Sequence, residues 1–245
     1  MHKLMPTIEF RISDFAPNEK VYNFVSQLVH SAMVRMKLTH TDVQKMVIAD
    51  TDHYGSTIME LSPTDGHTDD GILQGLGKTV PQIENGRCVG NKLVIHASII
   101  DALAAPASNI STGREEALRY AFFHELGHCA DHRHRQIHKP VRTYANTRSF
   151  ALRCAEANAA TLTDEYAACF FSSSFLSPAG FSFMADFTVE TLRKYLSAVA
   201  EKRNQYRFGL LDIREVRGTA LETIWRGLIE YAKLFAYLHG NPALL

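Results

Sequence analysis

What this 245-residue chain lacks narrows its class first. It has no run of about 18 consecutive apolar residues, so a bilayer-spanning helix is excluded. It has no charge imbalance either: 26 Lys and Arg stand against 26 Asp and Glu, and no global field would hold it on nucleic acid or an anionic membrane. Glycine and proline are sparse, at 14 and 8 residues, while hydrophobic residues reach 46%, which excludes collagen-like and disordered classes. The four cysteines (Cys88, Cys129, Cys154, Cys169) form no C-x-x-C pair, and a chain this long does not need disulfide staples. Pro6, Glu9 and Arg11 interrupt the apolar core that a secretory signal would need. The expectation is one large globular domain in the cytoplasm, with reduced thiols and no membrane partner.

Periodicity supplies the organisation. From Asn18, a suitable N-cap, apolar residues at Val21, Phe24, Val25, Leu28, Val29, Ala32, Met33 and Met36 follow the three-and-four spacing of a helix ending near Lys37. Lys45–Ala49 and Ser56–Leu61 read as short strands; a helix-turn-helix over 41–60 is the competing reading, disfavoured by the β-branched content and Gly55. Residues 62–71 have loop composition. Thr79–Glu84 and Arg87–Val89 flank Asn85-Gly86, which predicts a hairpin with a type I′ turn, and Lys92–Ile95 continues as a strand. Thr112 with Glu115 forms a capping box opening a helix to about His132, and a further helix fits Thr163–Leu176, stopped by Pro178. Helices over about Val189–Gln205 and Thr219–His239 complete the chain. The last carries an apolar face of Leu221, Ile224, Trp225, Leu228, Ala232 and Phe235, and Gly240-Asn241-Pro242 terminates it.

The chemistry lies on the helix after Thr112, in His124-Glu125-Leu126-Gly127-His128. Residues four apart project from one helical face, so two imidazoles can reach one metal ion, and this H-E-x-x-H spacing arises by chance only about 0.03 times in such a composition. Glu125 comes from the same turn, where its carboxylate can take a proton from water on the metal's open position. Zinc needs a third protein ligand. Glu165 is the choice, because at the head of the helix from Thr163 it shares a face with Ala168, a small residue that lets the two helices approach. Asp164 and Glu156 are rivals, as is His132, although three histidines in line on one helix make a poor tetrahedral corner.

Two blocks around these residues resemble the ImmA/IrrE family of zinc metallopeptidases. Arg119–His128 (RYAFFHELGH) is similar to that family's R-F-T-x-A-H-E-x-G-H helix. Glu165–Pro178 (EYAACFFSSSFLSP) aligns without a gap with its E-x-E-A-N-x-F-A-x-x-L-L-M-P run, Cys169 standing where the family has Asn. The resemblance implies an α+β fold, a minimal zincin with a small mixed β-sheet whose edge strand precedes the active-site helix. It also implies zinc held by His124, His128 and Glu165, and cleavage of a partner regulator such as a transcriptional repressor.

Other features are weighed against that reading. Arg133, Arg135, Lys139, Arg142 and Arg148, with His132, His134 and His138, make a basic stretch that an acidic peptide or nucleic acid could use, although a solvated loop explains it as well. Gly75–Thr79 imitates the end of a P-loop, but Ile72 stands where its first glycine is required. His96, on a strand, is left out of the site. Tyr166, Tyr231 and His138 are the available transition-state stabilisers. The expectation is therefore a single domain over 1–245: N-terminal helix plus sheet over 1–110, metal-binding helices over 112–178 and a helical extension over 187–240. Its function would be zinc-dependent endopeptidase acting on a protein or peptide substrate, with Glu125 as base. The alternative is a non-catalytic, zinc-stabilised regulatory or DNA-binding protein.

Overall fold

The computed structural model describes residues 5–62, 75–104, 113–138 and 150–241, with backbone alone at 136–138 and 150–157. The expected loop beyond Ser62, the Thr112 cap and the basic residues 139–148 lie outside the described residues. The fold is α+β.

Strand β1 (Thr7–Arg11), for which no expectation was formed, leads into helix α1 (Glu19–Arg35), capped by the Asn18 side chain accepting from the Val21 amide. Strand β2 (Val43–Ala49) then pairs parallel to β1. Next comes helix α2 (Thr51–Leu61), which replaces the strand expected at Ser56–Leu61. Asp50 accepts from the His53 amide as N-cap, and Tyr54, Thr57 and Ile58 share one buried face, so β-branched residues here serve a helix. The strand–helix pair over 43–61 also removes the helix-turn-helix alternative.

Strands β3 (Gly77–Glu84) and β4 (Arg87–His96) form the expected hairpin, with Asn85 and Gly86 both at positive φ. The sheet order is β1-β2-β4-β3: β4 runs parallel to β2, and β3 runs antiparallel at the edge. Alternation divides its faces. Met46, Ile48, Leu93 and Ile95 pack on α1, on helix α3 (Ala97–Ala104) and on helix α4 (Gly113–His138), whereas Ala49 and Val94 pack on α2.

Helix α5 (Phe150–Ser172) begins a dozen residues before the predicted start at Thr163, whose hydroxyl donates to the Ala159 carbonyl within the helix instead of capping it. A 3-10 turn (Ser173–Phe175) follows, and Pro178 is the first residue of helix α6 (Pro178–Arg207), capped by Ser177, so it starts a helix as well as ending one. Helix α7 (Ile213–Gly240) starts earlier than Thr219, at the Asp212 cap. Its predicted apolar face is packed only in part: Trp225 and Ala232 are half-buried, Leu221, Ile224, Leu228 and Phe235 are 48–64% exposed, and Thr223, Ala236 and Tyr237 are buried. Among the described residues no helix is long and apolar enough to cross a membrane.

Candidate metal centre

Helices α4 and α5 cross at contact distance because both carry small residues there. A Cβ on Gly127 would lie 2.3 Å from the Ala168 carbonyl oxygen, closer than any side chain can stand. This approach carries Glu165 over the two histidines of α4. The ligand atoms of His124, His128 and Glu165 all fall within 4.8 Å of one another, and this is the one such group among the described residues. His124 Nε2 lies 3.4 Å from Glu165 Oε2, and His128 Nε2 lies 3.8 Å from Oε1. A tetrahedral ion with bonds of about 2.0–2.1 Å needs donors roughly 3.3 Å apart; the His124–Glu165 pair is at that separation and the whole set is within 4.8 Å. Glu165 Oε2 is buried and makes no well-formed hydrogen bond, as expected for a carboxylate meant for another partner. Two imidazoles and a carboxylate fit a divalent metal ion.

The electrostatics agree. Burial would raise the Glu165 carboxyl, yet Lys233, His124 and His128 outweigh it and hold the group well below the usual carboxylate range. Burial pushes His128 down to about 3. For His124, burial is outweighed by Cys169 and Glu165, which raise it well above the ordinary imidazole value.

Glu125 is buried on the side of α4 that faces β3. The Thr79 hydroxyl donates to it, 2.7 Å from Oε2 and 3.0 Å from its backbone carbonyl oxygen. Gly77 leaves the space its carboxyl needs, since a Cβ there would meet Glu125 Cγ at 2.4 Å. Burial raises its proton affinity, against the opposing pull of His124 and Thr79. The edge strand thus orients a carboxyl group that holds a proton more readily than an exposed one.

The remaining candidates lie elsewhere. Asp164 forms ion pairs with Arg135, which also pairs with Asp131, so it faces away from the histidines. His132 Nδ1 meets Asn91 Oδ1 at 2.7 Å. The Glu156 and His138 side chains are outside the described residues. Tyr166 points to α7, with its hydroxyl 2.5 Å from His239 Nδ1, and Tyr231 is 68% exposed. His96 bonds Ser98 and Thr51 and packs edge-on against Tyr54. Of the basic stretch, Arg133 donates to the Lys37 carbonyl and Arg135 is tied to its two aspartates, so these two cations brace the fold.

Four contributors were not anticipated: Thr79, Gly77, Cys169 and Lys233. Cys169 Sγ sits 3.5 Å from His124 Nδ1, in the place where a ligand histidine is usually oriented. Lys233 Nζ, from α7, lies 3.2 Å from both Glu165 Oε2 and Glu230 Oε1. The one sequence signal for Lys233 is its spacing from Glu230, three residues on, inside an otherwise apolar stretch. Neither a family model, nor a curated protein, nor a solved structure matches the chain.

Proposed function

We propose that the chain is a zinc-dependent endopeptidase, a minimal zincin of the ImmA/IrrE kind, acting on a protein substrate such as a transcriptional repressor in the cytoplasm. The observation that carries this reading is the convergence of His124, His128 and Glu165 beside a buried, hydrogen-bonded Glu125. Zinc bound to such a set lowers the pKa of its water to about 7 and polarises a carbonyl. The chain's own residues supply the rest. His124 and His128 fix two donor positions from one helix face, and Glu165 adds the third from α5. Glu125, with its proton affinity raised by burial, takes the proton of the attacking water and later delivers it to the leaving amine. Thr79 keeps that carboxyl aimed, and Gly77 lets it lie against β3.

The sheet supports an extended peptide as substrate. No strand pairs with the outer edge of β3 among the described residues, and Pro81 is compatible with such an edge. A peptide adding to that edge would pass directly by Glu125. Three buried free thiols, Cys88, Cys129 and Cys169, match the reducing compartment assumed here.

The test is Glu125→Gln, which keeps size and hydrogen bonding but cannot act as a base. It should retain metal and fold while cleavage of a candidate repressor falls by about 10²–10⁴. Cleavage near the wild-type rate would remove Glu125 from the mechanism.

A further inference from the structure

Helix α7 carries its charges on the side that faces the fold and its apolar residues on the side that does not. Between Ala220 and His239 its Lys, Arg, Asp and Glu residues are Glu222, Arg226, Glu230 and Lys233. Glu222 pairs with Arg226, whose guanidinium lies 5.5 Å from the Tyr195 ring of α6, and Glu230 pairs with Lys233, which reaches Glu165 of α5. The opposite side holds Leu221, Ile224, Leu228, Tyr231 and Phe235, each 48–68% exposed and spaced alternately three and four residues apart. That period of 3.5 is the seam of two helices packed lengthwise. Helix α6 extends the surface. It comes close beside Leu228 because Gly227 has no side chain, a Cβ there lying 3.3 Å from Leu192 Cδ2, and Val189 and Leu196, on the same face of α6 as Leu192, are exposed.

At about 200 Å² for a large apolar side chain, the five seam residues leave roughly 600 Å² of apolar surface, more than a soluble monomer ordinarily exposes in one patch. Two such faces pressed together bury about 1,200 Å², which reaches the range of stable interfaces. The internal stretches outside the described residues, 63–74, 105–112 and 139–149, consist mostly of polar or small residues and offer no matching apolar cover. The positions flanking the seam are Ala220, Gly227 and Leu234 on one side and Trp225, Ala232 and His239 on the other, with no Lys, Arg, Asp or Glu among them. A second copy therefore meets no like charge there, and the Lys- and Arg-rich margins of a helix that lies on a bilayer are missing. We propose that the chain forms a two-fold dimer in which the outer face of α7, with Val189 and Leu196 of α6 at its margin, packs against the same face of a second copy. This inference is independent of the metal-centre reading.

Sedimentation of the full-length wild-type chain over a range of micromolar concentrations tests it. The mass should approach twice 27.5 kDa. Leu228→Asp, at the middle of the series, places two like charges in the seam of each dimer and should raise the dissociation constant at least about 100-fold with the circular dichroism spectrum unchanged. Val34→Asp, at a similarly exposed apolar site on α1, should leave the dimer intact. Should Leu228→Asp fail to fold, Ile224→Ser, which adds no charge, repeats the comparison with a loss of at least about tenfold. A wild type that stays monomeric overturns the inference, and if that monomer co-sediments with vesicles of phosphatidylcholine and phosphatidylserine, the face is a membrane surface instead. A folded Leu228→Asp variant that dimerises as tightly as the wild type overturns it as well, because the interface then lies elsewhere.

Discussion

The sheet with its packed helices and the C-terminal helix α7 obey different rules, although both are built from apolar residues at helical or strand spacing. In the first region half of the periodic residues are buried: Val25, Val29, Ala32 and Met33 of α1 meet Met46, Ile48, Leu93 and Ile95 of the sheet, Val21, Leu28 and Met36 are half-buried, and only Phe24 is exposed. In α7 the most regular apolar series, Leu221, Ile224, Leu228, Tyr231 and Phe235, is 48–68% exposed, and the inward face is assembled from Thr223, Lys233, Ala236, Tyr237 and Gly240. Apolar burial sets the rotation of a helix only where nothing more specific competes. On α7 an ion pair to Glu165, a tyrosine pair and a glycine contact decide it, and the apolar series is left outside.

That contrast makes a graded set of expectations. The largest effect belongs to the sheet: Leu93→Ala should cost about 2–5 kcal/mol in chemical denaturation, the range for emptying a fully buried leucine site. A milder result would mean that the core is looser than its burial implies. Gly127→Val sharpens the comparison at the helix crossing, where the obstacle is backbone and cannot rotate away. It should cost about 1–3 kcal/mol, or more, and lower metal content as well, since α4 and α5 must separate; elemental analysis beside a denaturation curve reads both. The smallest effect is expected on the outer series of α7. In the chain diluted to a monomer, Ile224→Ser and Leu228→Ser should shift stability by no more than about 0.5 kcal/mol, as ordinary surface changes do. A loss near that of Leu93→Ala would show the series to be buried within one chain.

Legibility in the sequence follows the same division. The β3–β4 hairpin was readable because Asn85-Gly86 states its turn chemistry locally, and α1 because cap and period agree. His124, Glu125 and His128 were readable because one helical turn fixes their relation. Glu165 was assigned on the right face but at the wrong place in its helix: it lies well inside α5, and what brings it to the histidines is the Gly127–Ala168 contact, anticipated only as a small residue at Ala168. Thr79, Gly77 and Lys233 act through contacts between distant parts of the chain, and no spacing encodes those. Ser56–Leu61 reads as a strand because of Gly55 and its β-branched content, while the Asp50 cap and the buried triplet Tyr54, Thr57 and Ile58 make it the second half of a helix.

The central claim is that three side chains from two helices make one metal site, and metal content measures it directly. Purified wild-type protein should carry about one zinc per chain, and Glu165→Ala and His128→Ala should each lose tight binding, because each removes one of three protein ligands. Asp164→Ala, whose carboxylate faces Arg135, should keep its metal. Full zinc occupancy in Glu165→Ala would contradict the account.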